Sequence, residues 1–429
     1  MSLLVKNALV ILTQNRERDA LRDTDVFVEG NTIAGIGKNL RERAEFVLDG
    51  RGKLLLPGLI NTHTHLAMTL LKGYADDMPL QPWLEEKIWP LEKSLKAPHV
   101  FAGSLLGCAE LIRSGTTAFA DMYFFMDETA RAVEKAGLRA NLSYGMIDLG
   151  NAEKREKELK EGERFARAWK GKAGGRIQTS LGPHAPYSCS KELLEKAAEL
   201  ADKLDVKLQI HLSETRKEVF DSIKNTGKRP PAYLDSLGFL SPRVIAAHCC
   251  WLTKQEAKLL AQRGVSVSHC PVSNMKLASG GVTPVPELVA AGANLSLGTD
   301  GACSNNSLSM LETMKFAALL HKSARWDATV AGAQEVLDWA TINGAKALGI
   351  PAGSIEKGRL ADFILLDLRA PNLSPLHNPV SHVVYAANPS NITDVVVDGR
   401  PVLLERAIQL FDEKKAVEDA QKAAEELVG

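Results

Sequence analysis

The sequence of 429 residues predicts an α/β protein: a parallel (β/α)8 TIM-like barrel with a small β-sandwich domain formed by both chain ends. Three observations support this prediction. From about residue 116 onwards, short apolar strands alternate with amphipathic helices, a pattern typical of a parallel sheet. Both chain ends carry short alternating strands with glycine turns, which most simply pair with each other. The chain is also longer than a single hydrophobic core usually holds, so one large and one smaller domain are expected.

The predicted domains follow one another along the chain. We expect the first part of the β-sandwich at 1–57, the barrel at 58–358, the second part of the sandwich at 359–410 and an exposed amphipathic helix at 411–429. The barrel strands are predicted at 58–64, 116–121, 139–145, 176–183, 207–213, 244–248, 266–270 and 293–299. An open, doubly wound sheet is the competing topology. No G-x-G-x-x-G turn follows the first strand, which weakens the nucleotide-binding version of that fold.

Composition limits the partners. The 52 basic and 52 acidic residues balance, so electrostatics give no reason to expect nucleic acid or an anionic membrane as the main partner. No apolar run is long enough to span a bilayer, and we expect no signal peptide. The six cysteines form no C-x-x-C motif, as is typical of reduced cysteines in a cytoplasmic protein. A homo-oligomer is left open.

Polar residues at the predicted strand ends indicate a metal site. His63 and His65, in "LLPGLINTHTHLAMTL", are two residues apart and would point the same way from a strand. His211 ends the fifth barrel strand and Asp300 follows the eighth. A single buried histidine is usually structural, but these residues would meet on the catalytic rim of a barrel. We therefore predict His63, His65, His211 and Asp300 as ligands of one divalent ion per chain.

Two more residues complete the predicted chemistry. Glu214, in "HLSET", stands where a carboxylate can shuttle protons to and from an activated water. His248 ends the sixth strand and is expected to orient that water rather than to bind the metal. Asp300 is predicted to act in proton transfer as well as in metal binding. Zinc fits the nitrogen and oxygen ligands, and ferrous iron or nickel would fit as well.

Six motifs, in order along the chain, resemble the amidohydrolase superfamily and specifically its 5′-methylthioadenosine/S-adenosylhomocysteine deaminases. They are "PGLINTHTH", "GPHAPYSCS", "QIHLSET", "HCPVSNMKL", "LGTDGACSNNSLSM" and "GSIEKGRLADFILLDL". The resemblance covers nearly the whole chain apart from the last helix. It implies a mononuclear metal site and hydrolytic deamination of the adenine in 5′-methylthioadenosine, S-adenosylhomocysteine, 5′-deoxyadenosine or adenosine. No lysine matches the carbamylated bridging ligand of the binuclear members.

The resemblance also implies contacts to a purine nucleoside. Trp83 matches an aromatic residue packed near the nucleoside, and Glu92 matches a carboxylate that binds the ribose hydroxyls. His184 matches a hydrogen-bond donor to the purine or ribose, and Ser304 is a candidate contact to the base.

Two further positions bear on the 5′-substituent. Arg155 matches an arginine that holds the homocysteine carboxylate, although its charge-rich surroundings are equally typical of a solvated helix. Tyr144 stands where the family pattern has a second arginine, so it departs from that pattern. The missing bidentate donor favours uncharged 5′-substituents over S-adenosylhomocysteine.

Two other functions remain open from the sequence. The same scaffold carries guanine deaminases and triazine chloro- or aminohydrolases, because a fold does not fix a function. A metal-free binding protein on this scaffold is the alternative from a different class, and it would be expected to have damaged ligands.

Overall fold

The computed structural model describes residues 1–429, and 17 β-strands form its framework. The strands are β1 (Ser2–Leu12), β2 (Ala20–Glu29), β3 (Thr32–Gly37), β4 (Phe46–Asp49), β5 (Lys53–Pro57), β6 (Leu59–Thr64), β7 (Thr116–Tyr123), β8 (Arg139–Met146), β9 (Ile177–Pro183), β10 (Lys207–Leu212), β11 (Val244–His248), β12 (Ser266–His269), β13 (Asn294–Leu297), β14 (Phe363–Asp367), β15 (Ile392–Val397), β16 (Arg400–Leu404) and β17 (Ala407–Ile408).

Helices fill most of the connections between strands. They are α1 (Leu80–Pro82), α2 (Trp89–Glu92), α3 (Ala97–Arg113), α4 (Met126–Ala136), α5 (Ala152–Trp169), α6 (Lys191–Leu204), α7 (Arg216–Thr226), α8 (Pro230–Ser236), α9 (Lys254–Gln262), α10 (Pro271–Lys276), α11 (Val285–Ala290), α12 (Ala302–Asn305), α13 (Met310–Arg325), α14 (Ala333–Trp339), α15 (Ile342–Leu348), α16 (Pro379–Ser381) and α17 (Glu413–Val428). Short 3-10 turns lie at Leu66–Leu71, Ala173–Gly175, Pro371–Leu373 and Pro389–Asn391, and π turns at Trp83–Ile88 and His382–Ala386. None of these helices is both long and apolar enough to cross a membrane.

Strands β6 to β13 form the predicted barrel. They pair in parallel in chain order, and β13 returns beside β6. Polar contacts close this seam: Asn61 Nδ2 donates to Thr299 Oγ1 at 2.7 Å, and the Asp300 amide donates to the His63 carbonyl at 3.0 Å. The predicted (β/α)8 fold is therefore confirmed, with all eight strands at the expected places.

Both chain ends build a second sheet, as the sequence predicts. Its strands follow the order β17-β16-β15-β14-β5-β1-β2-β3, with β4 paired to β1. The antiparallel pair β5–β14 joins the two ends, and β1 bulges between Val5 and Ala8 where its partner changes from β4 to β5. The hydrogen bonds between these strands form one continuous path rather than two separate sheets. A cluster of 14 buried residues gives this domain its own hydrophobic core. The exact domain boundaries stay a proposal.

The last helix is less exposed than its composition suggests. Asp412 caps α17, and the helix packs its small apolar side against α3, burying Ala416, Ala420, Ala423 and Leu427. Arg113 of α3 donates from Nε to Glu413 at 2.8 Å.

Candidate active site

The side chains predicted as metal ligands meet at the C-terminal ends of the barrel strands. His65 Nε2 lies 3.2 Å from His211 Nε2 and 3.3 Å from Asp300 Oδ1. His63 Nε2 lies 3.5 Å from the same carboxylate oxygen. These four residues, called the ligand cluster below, lie in β6, directly after β6, in β10 and in the segment after β13. The barrel closes β6 against β13, and this closure brings together residues far apart in sequence.

Hydrogen bonds to the outer nitrogens orient two of the imidazoles. His65 Nδ1 donates to the Met122 carbonyl at 2.6 Å, and His211 Nδ1 donates to the His184 carbonyl at 2.7 Å. A proton fixed on Nδ1 leaves the Nε2 lone pair free and aimed at the centre of the cluster.

The carboxylate of Asp300 is oriented in a similar way. Its Oδ2 accepts hydrogen bonds from Ser273 Oγ at 2.6 Å and from Ser304 Oγ at 2.8 Å, which leaves Oδ1 facing the histidines. Asp300 also has a left-handed backbone (φ 63°), uncommon for a residue other than glycine and often found at functional sites.

The donor set fits a divalent cation. His63 Nε2 is buried without a hydrogen-bond partner, which is costly unless something else binds this atom. Burial lowers the pKa of His63 to about 4 and that of His211 well below its ordinary value, so both imidazoles are neutral, as metal binding requires. Burial alone would raise the pKa of Asp300, but its contacts with the histidines hold that pKa well below the usual range. A metal could also be held by His63 and His211 together with His248.

Glu214 and His248 stand beside the ligand cluster. Glu214 Oε2 lies 3.8 Å from His248 Nε2, and both side chains are buried. Burial raises the pKa of the Glu214 carboxyl group. Burial would lower the pKa of His248, but the negative charges of Glu214 and Asp300 outweigh it and raise that pKa. His248 Nδ1 donates to Asn274 Oδ1 at 2.9 Å, so its Nε2 faces Glu214.

A largely apolar cleft opens above these groups. The segment from α1 through the π turn to α2 covers it and supplies Trp83, which is buried, and Glu92. Glu92 Oε1 accepts a hydrogen bond from the Tyr123 hydroxyl at 2.8 Å. His184 lines the cleft with its ring 4.7 Å from that of His211. The remaining lining residues are Met68, Leu80, Leu84, Ile88, Trp89, Met122, Phe124, Gly145, Ile147, Tyr187, Leu277 and Ser304, together with the groups described above.

Two of the predicted substrate contacts lie outside this lining. Tyr144 packs beside Phe124, with ring centroids 6.5 Å apart, and does not itself line the cleft. Arg155, on α5, donates to Glu192 at 3.1 Å and lies 3.8 Å from Asp148. Arg155 is thus paired with two carboxylates of the chain itself. Its role towards substrate stays a prediction.

Sequence reasoning missed several residues that support the site. Ser273 and Asn274 lie inside the motif "HCPVSNMKL", yet nothing in that motif says that one holds Asp300 and the other His248. Tyr123 is the last residue of β7, beyond the predicted strand end at 121, and its contact with Glu92 depends on the covering segment.

A parallel barrel with three imidazoles and an aspartate on its rim defines a metal-dependent hydrolase. The chain belongs to the amidohydrolase family, whose sequence model matches residues 54–402. This confirms the family, the fold class and the expectation of a hydrolase that acts on C–N bonds.

Individual relatives agree with this assignment. The chain is 50% identical to the 5′-deoxyadenosine deaminase of Methanosarcina mazei, over 99% of this chain and 98% of that protein. It is 48% identical to the 5-methylthioadenosine/S-adenosylhomocysteine deaminase of Thermococcus sibiricus, over 94% of each chain. The crystal structure of an adenosine deaminase from Xanthomonas campestris with bound zinc superimposes with a TM-score of 0.93 at 37% identity, covering 99% of this chain and 98% of that one.

Proposed function

We propose that this protein is a metal-dependent deaminase that converts the adenine of 5′-deoxyadenosine or 5′-methylthioadenosine to hypoxanthine and releases ammonia. The observation that carries the proposal is the joint placement of the ligand cluster, Glu214 and His248 at the base of one apolar cleft. Relatives that match 94% or more of the chain are named for deamination of these nucleosides.

One zinc ion per chain, held by His63, His65, His211 and Asp300, is the proposed cofactor. The unpartnered His63 Nε2 and the neutral imidazoles of His63 and His211 support this assignment, as does the zinc in the X. campestris structure. Ferrous iron and nickel accept the same ligands. The bound ion supplies the Lewis acidity that activates a water molecule for attack on C6 of adenine.

The chain's own groups move the protons. Glu214 accepts a proton from the attacking water and delivers it to N1 of the ring, which makes C6 more electrophilic. Its raised pKa suits such an exchange, because a proton shuttle works best with a pKa close to the working pH.

His248 and Asp300 complete the cycle. His248 is the protonated imidazolium, as its raised pKa favours, so Nδ1 donates to Asn274 while Nε2 donates to the oxygen added at C6. Asp300 passes the second water proton to the departing amine. Adenine and water thereby become hypoxanthine and ammonia, with every proton accounted for.

The cleft also supports a preference for uncharged 5′-substituents. No lysine or arginine lines it, and its carboxylates are Glu92, Glu214 and Asp300. A homocysteine carboxylate would meet no cation there, and desolvating an unpaired charge is costly. We therefore propose that 5′-deoxyadenosine and 5′-methylthioadenosine are better substrates than S-adenosylhomocysteine.

A substrate panel tests the proposal. The fall in adenine absorbance and the release of ammonia are followed with 5′-deoxyadenosine, 5′-methylthioadenosine, adenosine and S-adenosylhomocysteine, and metal content is measured on the same protein. Guanine and a chlorotriazine serve as controls for the alternative reactions. Turnover of a control but of no adenosine would refute the proposal. A higher kcat/KM for S-adenosylhomocysteine than for the uncharged nucleosides would refute the argument from the uncharged cleft.

A further inference from the structure

Glu218 is a buried carboxylate that the proposed reaction does not use. It lies in the first turn of α7 and is 4% exposed. It forms no salt bridge, and the adjacent Lys217 pairs with Asp221 instead. A buried charge without a cation is costly, so its presence calls for a compensating interaction.

Two successive backbone amides offset part of this cost. The Ser213 amide donates to Glu218 Oε1 at 2.7 Å, and the Glu214 amide donates to Glu218 Oε2 at 2.8 Å. Such a pair of adjacent N–H groups forms an anion-binding concavity, here filled by the chain's own carboxylate.

The two amides lie on either side of the Ser213 Cα atom. Ser213 has a left-handed backbone (φ 49°), which a serine rarely adopts without support. By binding both flanking peptide groups, Glu218 fixes the conformation of this one residue. The turn that results connects β10 to Glu214, whose carboxyl group lines the cleft.

We propose that Glu218 is a positioning residue for the deamination: its carboxylate clamps the peptide groups around Ser213 and thereby sets where the Glu214 carboxylate stands against the substrate. This inference rests on the proposed function, in which Glu214 carries the proton. Proton transfer is sensitive to small displacements, and a shift of about 1 Å can cost on the order of 100-fold in rate.

Glu218→Gln tests the clamp because glutamine has the same shape but only one acceptor oxygen. Its amide group would face one of the two backbone N–H groups instead of accepting from it. We expect kcat with 5′-deoxyadenosine to fall about 10- to 100-fold, with KM and metal content nearly unchanged. A purely structural role would lower thermal stability but leave kcat per metal-loaded site intact.

Glu256→Gln is the matched control. Glu256 occupies the same position in the first turn of α9, is buried to a similar degree and accepts from the Thr253 amide at 2.7 Å, but it holds no residue of the cleft. We expect its kcat to stay within about twofold of the parent value.

A double variant asks whether Glu218 acts through Glu214. If it does, Glu214→Gln combined with Glu218→Gln is no slower than Glu214→Gln alone, because the group being positioned is already lost. If Glu218→Gln folds poorly, Ser213→Gly is added, since glycine adopts the left-handed backbone freely and the Ser213 hydroxyl has no partner to lose. Stability should then recover while kcat remains low.

The outcomes separate this inference from the proposed function. A parent enzyme inactive on every adenosine refutes the function. An active parent with a slow Glu214→Gln variant, but with normal kcat in Glu218→Gln, refutes only the positioning role. A double variant clearly slower than Glu214→Gln alone refutes it as well.

Discussion

Glu92 offers a direct test of how the cleft grips the sugar. Its Oε1 is engaged by the Tyr123 hydroxyl at 2.8 Å, which leaves Oε2 for a ribose hydroxyl. Glu92→Gln keeps the shape and an acceptor for Tyr123 but removes the charge. A hydrogen bond to a charged group contributes roughly 1.5–3 kcal/mol, and about 1.4 kcal/mol corresponds to tenfold. We therefore expect kcat/KM for 5′-deoxyadenosine to fall roughly 10- to 150-fold.

The assay pairs this variant with substrates that lack one hydroxyl. Steady-state kcat/KM is measured for 5′-deoxyadenosine and for its 2′-deoxy and 3′-deoxy derivatives, with parent and variant. If Glu92 binds a ribose hydroxyl, removing that hydroxyl should be costly for the parent and nearly neutral for the variant, a coupling that a double-mutant cycle isolates. Glu86→Gln, an exposed position on the same covering segment, is the control. An equal loss with all three nucleosides would show that Glu92 acts on the fold of the cleft and not on the sugar.

Three other predictions concern the metal, the proton path and pH. His63→Ala should lose metal and turnover together, as measured by elemental analysis and ammonia release. Glu214→Gln should keep its metal and lose about 10²- to 10⁴-fold in kcat. Near-normal turnover of this variant would mean that the proton path runs elsewhere. His248→Ala should likewise keep the metal. Burial raises the pKa of Glu218 to about 7, against 4.5 for an ordinary glutamate. The unfolded chain thus releases this proton first, and the stability of the parent relative to Glu218→Gln should fall as pH rises through that window, as urea titrations would show.

The ligand residues could be predicted because two simple rules apply to them. Side chains alternate along a strand, and the catalytic groups of a barrel follow the C-terminal ends of its strands. His63 and His65 satisfy both rules because they lie two residues apart at the end of the first barrel strand. His211 and Asp300 could be placed because they lie at the ends of the predicted fifth and eighth strands. The pairing of the chain ends could also be predicted. Strands need hydrogen-bonding partners, and both ends carry alternating strands that would otherwise have none. The strands of the two ends form one continuous hydrogen-bonded path instead of two sheets, and this depends on the bulge in β1. No residue pattern predicts that bulge.

The groups that support the site were harder to predict because they act across elements. Asn274 reaches His248 from α10, and Glu218 reaches back from α7 to the end of β10. Asparagine near a helix start and glutamate in a first turn are commonplace as capping residues. Only the folded structure shows whether such a side chain caps its own helix or holds a residue of another element. The same limit applies to Arg155, whose ion pairs with Asp148 and Glu192 depend on how α5 and α6 lie together.

The partners of the ligand histidines show a further limit of residue patterns. His65 and His211 are oriented by the carbonyl groups of Met122 and His184, which any residue at those positions would supply. These contacts follow from strand order: Met122 lies on β7, next to β6, and His184 directly follows β9, next to β10. Met122→Leu, a swap of similar volume, should therefore leave the metal content unchanged, although the Met122 side chain is buried against the cleft. Loss of metal in that variant, with the fold intact by circular dichroism, would mean that the methionine side chain itself holds His65 in place, and the orientation would then depend on sequence after all.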